Sequence, residues 1–138
     1  MNINDITELV IGSAMTVHRR LGPGLLESAY ETCMVLELAE RGLRFQRQYP
    51  LNFSYRGQTV DCGYRLDFVV EDQVIVELKS VSRLLPIHLA QMLTYINLTD
   101  CPVGLLINFN VQFLKHGLRR VVLRPPRSLP SLSDLCGE

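Results

Sequence analysis

The chain has 138 residues, of which 47% are hydrophobic and 20% are charged, and its formal net charge is zero. This length and composition predict a globular domain with its own core and exclude a disordered chain. The zero net charge argues against a protein that coats nucleic acid over its whole surface.

Three helices are predicted from the spacing of apolar residues. The first covers residues 4 or 5 to 20, with Asn4 as its N-cap. The second covers residues 25–41 and ends at Gly42, a residue typical of the position after a helix. The third covers residues 86–98 and begins with a proline, which suits a first helical turn.

After Gly42 the pattern changes to the alternation of β-strands. FQRQYPLNFSYRG predicts strands around Pro50, TVDCGYRLDFVV predicts another, and QVIVELKS follows a Glu-Asp-Gln turn. In TVDCGYRLDFVV, alternation puts Leu66 and Phe68 on one face and Asp67 on the other. PVGLLINF is fully apolar, as in a sheet covered on both faces, and RRVVLR predicts the last strand.

The predicted order is therefore ααββββαββ, with one covered sheet, which indicates an α/β or α+β fold. We expect a single domain over residues 1–123, followed by a Pro- and Ser-rich tail over residues 124–138. The apolar runs are too short to cross a bilayer, and the first residues lack the pattern of a signal peptide. We therefore expect a cytoplasmic protein that does not associate with membranes.

Asp67, Glu77 and Lys79 interrupt otherwise apolar strands. Glu77 and Lys79 project from one face, and Asp67 can approach Glu77 on a shared face if the two strands are neighbours. Carboxylates about 4 Å apart repel by roughly 4 kcal/mol at an effective dielectric constant of 20. A shared proton, Lys79 or a divalent cation could relieve that repulsion, and a bound cation would activate water and bind a phosphoryl oxygen. The alternative is a surface hairpin with a solvated Glu77–Lys79 ion pair, worth under about 1 kcal/mol.

Two helices add polar residues to this group. Glu27 shares one face of the second helix with Tyr30 and Met34, where a buried acid would need a partner. By the same helical spacing, one stripe of the third helix carries His88, Gln91 and Tyr95.

Residues 115–127 contain five basic residues and no acid. They are Lys115, Arg119, Arg120, Arg124 and Arg127. Such a run could contact phosphates, and the alternative is a solvated strand edge with a basic tail. The four cysteines show no spacing typical of a zinc site and predict reduced thiols.

GLLESAY contains a G-x-x-E-x-x-Y pattern at Gly24, Glu27 and Tyr30. Together with YRLD, VIVELKS, HLAQMLTYI and GLLINF, it resembles the GxxExxY family of the PD-(D/E)XK nuclease superfamily over residues 6–123. The resemblance implies a central mixed β-sheet flanked by helices, a restriction-endonuclease-like core. It also implies a metal-dependent nuclease that acts on DNA or RNA. One departure from the pattern is Leu66, which stands where the motif has proline.

The resemblance implies roles for the metal-site residues and for two residues of the third helix. Asp67 and Glu77 are expected to bind Mg²⁺ or Mn²⁺, with the Leu78 backbone carbonyl as a further ligand. Lys79 is expected to be the catalytic lysine, and Glu27 the helix acid that completes the metal site. It further implies that Gln91 and Tyr95 contact DNA or brace the site. The full set of residues expected to contact nucleic acid or to brace the site also contains Tyr30, His88, Lys115, Arg119 and Arg120.

Three functions are compatible with these residues. The first is a nuclease, and the second is a binding or scaffold protein that keeps the nuclease fold without activity. In the second case, an apolar strand or an exposed helix face could serve a homodimer. The third is a hydrolase of small phosphorylated molecules, although LGPG lacks the lysine and the spacing of a phosphate-binding P-loop.

Overall fold

The computed structural model describes residues 1–123, and the predicted tail lies outside them. The helices are α1 (Ile3–Leu21), α2 (Glu27–Glu40) and α3 (Pro86–Thr99). The strands are β1 (Phe45–Tyr55), β2 (Gln58–Val70), β3 (Val74–Lys79), β4 (Val103–Asn108) and β5 (Leu118–Val122), with a short 3-10 helix at Leu114–Gly117 before β5. The domain boundary at residue 123 stays a prediction. Within the described part of the chain, no helix is long and apolar enough to cross a membrane.

The five strands form one mixed sheet in the order β1-β2-β3-β4-β5. Neighbouring strands are antiparallel except for β3 and β4, which are parallel. Parallel neighbours need a crossover, and α3 supplies it between β3 and β4. The predicted fold class, a mixed central sheet flanked by helices, is confirmed.

The sheet separates two apolar layers. On one face, α1 and α2 pack against residues that include Phe68 and Val76. On the other face, α3 packs against residues that include Leu66, Ile75 and Leu106. Because both faces are covered, every residue of β4 is buried, as the apolar run in the sequence predicts.

The region around Pro50 differs from the prediction. One continuous strand, β1, passes through Pro50, so three strands rather than four precede α3. The strand tolerates proline because β1 lies at the edge of the sheet, and the register shifts between Pro50 and Asn52. The predicted N-cap of α1 was also wrong, because the side chain of Asn2 accepts the N–H of Asn4 at 2.8 Å.

The strict alternation predicted for β2 was wrong as well. Leu66 packs in the α3 layer, whereas Phe68 packs in the layer of α1 and α2. The backbone pairing of β2 with β3 ends at Phe68 and Val76, so the strands separate at Asp67. This separation positions the polar residues described next.

Candidate active site

Two carboxylates replace the backbone ladder where β2 and β3 separate. The N–H of Asp67 donates to Oε1 of Glu77 at 2.9 Å, and the N–H of Leu78 donates to Oδ2 of Asp67 at 2.8 Å. Each strand therefore binds the other through a side chain. The exchange satisfies two backbone donors that the end of the ladder would otherwise leave without partners.

Glu77 is almost fully buried, with 2% of its surface exposed. Its Oε2 accepts a hydrogen bond from the hydroxyl of Tyr64 at 2.7 Å. The ring of Tyr64 stacks on that of Tyr95 from α3, with centroids 5.1 Å apart. Burial, followed by the nearby charge of Asp67, raises the pKa of Glu77 to about 7. Burial and the charge of Glu77 also raise the pKa of Tyr64, so its phenol stays protonated and remains a donor.

Asp67 faces a different environment, a cleft of about 190 Å³ between the sheet and α2. Burial raises the pKa of Asp67 to about 6, although its hydrogen bond from the Leu78 amide opposes the rise. The negative charges of Glu31 and Glu27 raise this pKa further. The residues that line the cleft are Glu27, Ser28, Glu31, Gln48, Asp67 and Leu78.

The prediction that Asp67 and Glu77 share one face was wrong. Asp67 opens toward α2, whereas Glu77 contacts Tyr64 beside α3. The two carboxylates approach each other through the gap between the strands, which is how Asp67 can donate its N–H to Glu77. The sequence pattern therefore predicted that Asp67 and Glu77 lie close together, but it predicted the wrong geometry for their approach.

Lys79 and Glu27 lie beside this gap. Lys79 is half-buried at the end of β3, and its positive charge opposes the rise in pKa of both Asp67 and Glu77. In residues 1–123 it forms no ion pair. Glu27 is exposed, contrary to the expected burial, and its Oε1 lies 3.4 Å from the N–H of Ser80, the residue after Lys79.

Tyr30 braces a loop next to the site. It is fully buried, and its ring stacks on Phe109 with centroids 4.3 Å apart. Its hydroxyl donates to the carbonyl of Gly22 at 2.6 Å and accepts the N–H of Leu25 at 3.2 Å. Tyr30 therefore holds the turn between α1 and α2.

The stripe on α3 divides into different environments. Nδ1 of His88 accepts the N–H of Leu85 at 2.9 Å, so His88 caps the start of α3. Gln91 is exposed, and Tyr95 contacts Tyr64 above Glu77. Of the three side chains, Tyr95 is the one whose contacts join it to the carboxylate pair.

The basic residues of β5 also separate. Arg120 donates to Oγ1 of Thr7 and Oδ1 of Asn4, both at 3.1 Å, and so ties β5 to α1. Arg119 is exposed. It lies in register with Glu77 across the sheet, because Leu106 of β4 pairs with Glu77 of β3 on one side and with Arg119 of β5 on the other.

Arg124, at the end of the predicted last strand, and Arg127, in the predicted tail, fall outside the described residues. Lys115 lies in the 3-10 helix and lines a different cavity.

Sequence reasoning missed Glu31 and Tyr64. The carboxylate of Glu31 accepts two hydrogen bonds from Arg47 and one from the side chain of Gln48. Its position four residues after Glu27, on the same helical face, was the available signal. Tyr64 gave no such signal, because an aromatic residue on a strand is ordinarily part of a core.

The donor atoms at the gap are those that a hard divalent cation prefers. Within residues 1–123, no three His, Cys, Asp or Glu side chains converge closely enough to hold a metal ion. Mg²⁺ is usually bound by only one or two protein carboxylates together with waters and substrate phosphates. Asp67, Glu77 and the Leu78 carbonyl supply oxygen atoms alone, so this set fits Mg²⁺ or Mn²⁺ better than a softer metal.

Comparison with known proteins identifies the family. No curated protein and no solved structure matches the chain. A family model of the PD-(D/E)XK nuclease superfamily matches residues 4–121. The match spans every helix and strand except the first residue of α1 and the last residue of β5. Members of this superfamily generally use divalent metal ions and act on nucleic acid, and the narrower GxxExxY assignment stays a prediction. The chain belongs to the PD-(D/E)XK nuclease superfamily.

Proposed function

We propose that this protein is a Mg²⁺- or Mn²⁺-dependent nuclease that hydrolyses phosphodiester bonds in DNA or RNA. The proposed metal ligands are Asp67, Glu77 and the Leu78 carbonyl, with Glu27 at the mouth of the cleft. The observation that supports this most is the desolvated carboxylate pair at the gap between β2 and β3, beside Lys79.

The burial of these acids is unfavourable for the protein alone. Removing a carboxylate from water disfavours its charged form, and burial is the largest cause of the raised pKa of both Asp67 and Glu77. A structural pair of this kind is commonly neutralised by a cation, yet Lys79 forms no ion pair with either acid in the described part of the chain. Perturbed acids in a cleft are typical of functional sites.

Each residue has a role that follows from its contacts. The Asp67 amide and the Tyr64 hydroxyl hold the two oxygens of Glu77, and the Leu78 amide orients Asp67. When bound, the divalent ion would supply water activation and a contact to a phosphoryl oxygen. The ammonium of Lys79 would position the attacking water or stabilise the negative charge that grows on the phosphate.

The alternative, a binding or scaffold protein without activity, predicts a different contact for Lys79. In a silent fold, Lys79 would bridge Asp67 and Glu77, and no space for a cation would remain. The described residues contain no such ion pair, and a cleft of about 190 Å³ adjoins Asp67. Both observations favour the nuclease over the scaffold.

Calorimetric titration of Mn²⁺ tests the proposal without a choice of substrate. Binding should occur in the wild type, disappear in Asp67→Ala and Asp67→Asn, and persist in Lys79→Ala. Asp67→Asn keeps an oxygen for the Leu78 amide, so its loss of binding would not reflect a damaged strand. Asp61→Asn is the matched control, because Asp61 lies on the same strand and is exposed.

The titration is repeated with an oligonucleotide present, because phosphates often complete a Mg²⁺ or Mn²⁺ site. Lys79→Ala serves for this arm, since it is expected to bind metal without turnover. Wild-type protein that binds no Mn²⁺ under either condition would contradict the proposal. Binding that survives Asp67→Asn unchanged would contradict the assigned ligands.

A further inference from the structure

A second cavity, of about 550 Å³, lies between the end of α1 and the segment that leads into the 3-10 helix. It is more than twice as large as the cleft at Asp67, and its volume is typical of ligand sites. We propose that this cavity binds an unpaired nucleobase and its adjoining phosphates, so that the substrate of the proposed nuclease is single-stranded. The inference rests on the proposed function. The residues that carry it are Met15, Arg19, Gly22, Gln112, Phe113 and Lys115.

An exposed aromatic ring supplies a stacking surface. Phe113 lines the cavity with 55% of its surface exposed, and the exposed side chain of Met15 lines it too. The ring of His116 packs edge to face against that of Phe113, at a centroid distance of 6.0 Å. This contact restricts the orientation of the Phe113 ring. Single-stranded nucleic acids bind by stacking bases on such rings, and this tolerates any base sequence.

The charge at the rim is complementary to phosphate. Arg19 and Lys115 line the cavity, both are exposed, and neither forms an ion pair within residues 1–123. None of the described residues that line it is acidic. The acidic cleft, with Glu27, Glu31 and Asp67, has the opposite character.

The wall of the cavity is already ordered for binding. His18 is buried, and its Nε2 donates to the carbonyl of Val111 at 2.7 Å, which ties α1 to the segment before Phe113. Gly22 ends α1 with a φ of 71°, a conformation that favours glycine, and donates its N–H to the backbone carbonyl of His18 at 2.8 Å. A preformed wall lowers the entropy lost on binding.

A short loop connects this cavity with the candidate active site. Gly22 lines the cavity, and Tyr30 bonds both Gly22 and Leu25. The carbonyl of Leu25 accepts a hydrogen bond from Ser80 at 2.5 Å, directly after Lys79. The N–H of Phe109 donates to the carbonyl of Lys79 at 2.9 Å, and Phe113 lies four residues further along the chain, at most about 14 Å away. A stacked strand advances about 3.4 Å per nucleotide, so a strand anchored at Phe113 reaches Lys79 within a few nucleotides.

Single-stranded substrate follows from the stacking surface. In a duplex, the neighbouring pairs cover both faces of each base, and exposing one requires unstacking and unpairing. Unpaired bases offer a free face to Phe113 without that cost.

Fluorescence anisotropy in EDTA measures binding without turnover. The probes are a labelled single strand of about eight nucleotides and a hairpin duplex with the same sequence. The single strand should bind more tightly than the duplex, and Phe113→Leu should weaken binding of the single strand about 5- to 150-fold. Phe113→Tyr keeps an aromatic ring and should bind nearly as the wild type does. Lys115→Ala should reduce the slope of log affinity against log salt by about one.

Tyr55→Leu is the matched control, because Tyr55 is an exposed aromatic residue at the far end of β1, outside the cavity. Equal binding by Phe113→Leu and the wild type, or equal binding of duplex and single strand, would overturn the inference. A mononucleotide that binds as tightly as the oligonucleotide would also overturn it, because the cavity would then hold a free nucleotide and not a strand.

Cleavage assays with Mn²⁺ separate this inference from the proposed function. Binding that depends on Phe113 without any cleavage would reject the nuclease and keep the single-strand site. Cleavage that does not depend on Phe113 would do the reverse.

Discussion

Replacing Glu77 with glutamine should stabilise the metal-free protein while abolishing metal binding. Glutamine has nearly the same shape, and its carbonyl can still accept the N–H of Asp67. Its NH₂ can donate to the oxygen of Tyr64, which now donates to the carboxylate. The variant therefore removes the buried charge and can keep a hydrogen bond to each of the two present partners of Glu77.

The magnitude follows from the pKa of Glu77, which rises from 4.5 to about 7 in the fold. Each pKa unit corresponds to about 1.4 kcal/mol, so the charged form costs about 3 kcal/mol of folding free energy. The folded state holds the proton more tightly than the unfolded state, so stability falls as the pH rises from 4.5 through 7. The unfolding free energy of Glu77→Gln should therefore exceed that of the wild type by about 3 kcal/mol near pH 8, and by little near pH 4.5.

Urea unfolding in EDTA at both pH values measures this difference. Near pH 8, the melting temperature should rise by about 10 °C in parallel. A variant less stable than the wild type near pH 8 would refute the reasoning, as would a difference independent of pH. Such a result would mean that Glu77 stabilises the fold, as expected of a structural network and not of a metal ligand.

Three further substitutions test individual contacts. Tyr64→Phe removes the hydroxyl bonded to Glu77 and should lower the unfolding free energy by about 1–2 kcal/mol near pH 8, and by less where Glu77 is protonated; equal losses at both pH values in urea titrations would contradict this. Arg120→Ala breaks the contacts with α1 and should cost about 1–2 kcal/mol of stability without changing oligonucleotide anisotropy. A loss of oligonucleotide binding would instead indicate that Arg120 contacts nucleic acid. Tyr30→Phe leaves the carbonyl of Gly22 without its donor and should lower stability by about 1–3 kcal/mol in thermal unfolding, a result that an unchanged melting temperature would rule out.

The elements that the sequence predicted well are those with a strong periodic pattern. The third helix has a proline at its first position, and β4 is an uninterrupted apolar run buried on both faces. In such segments local preference and tertiary burial agree. Pro50 misled the strand prediction because its tolerance depends on β1 lying at the sheet edge, which is a property of the topology.

The sequence predicted that Asp67 and Glu77 approach each other, but not the geometry of that approach. A prediction from alternation assumes that the backbone hydrogen bonds between two strands continue without a break. At Asp67 side chains replace those backbone bonds, so the residues on either side no longer alternate between the two faces of the sheet. Glu31 lines the same cleft as Asp67 because α2 packs beside the sheet there. Its spacing from Glu27 indicated the helical face but not this neighbour. Arg120 has the charge expected of a residue that binds phosphate, but α1 lies close enough for Arg120 to donate to Thr7 and Asn4 instead.

The most direct test of the central claim is a cleavage assay with a labelled single-stranded oligonucleotide and Mn²⁺. Wild-type protein and the Asp61→Asn control should cleave it, EDTA should stop the reaction, and Asp67→Asn and Lys79→Ala should each be inactive while remaining folded. Cleavage by Asp67→Asn or Lys79→Ala at the wild-type rate would contradict a metal-dependent nuclease site at the gap between β2 and β3.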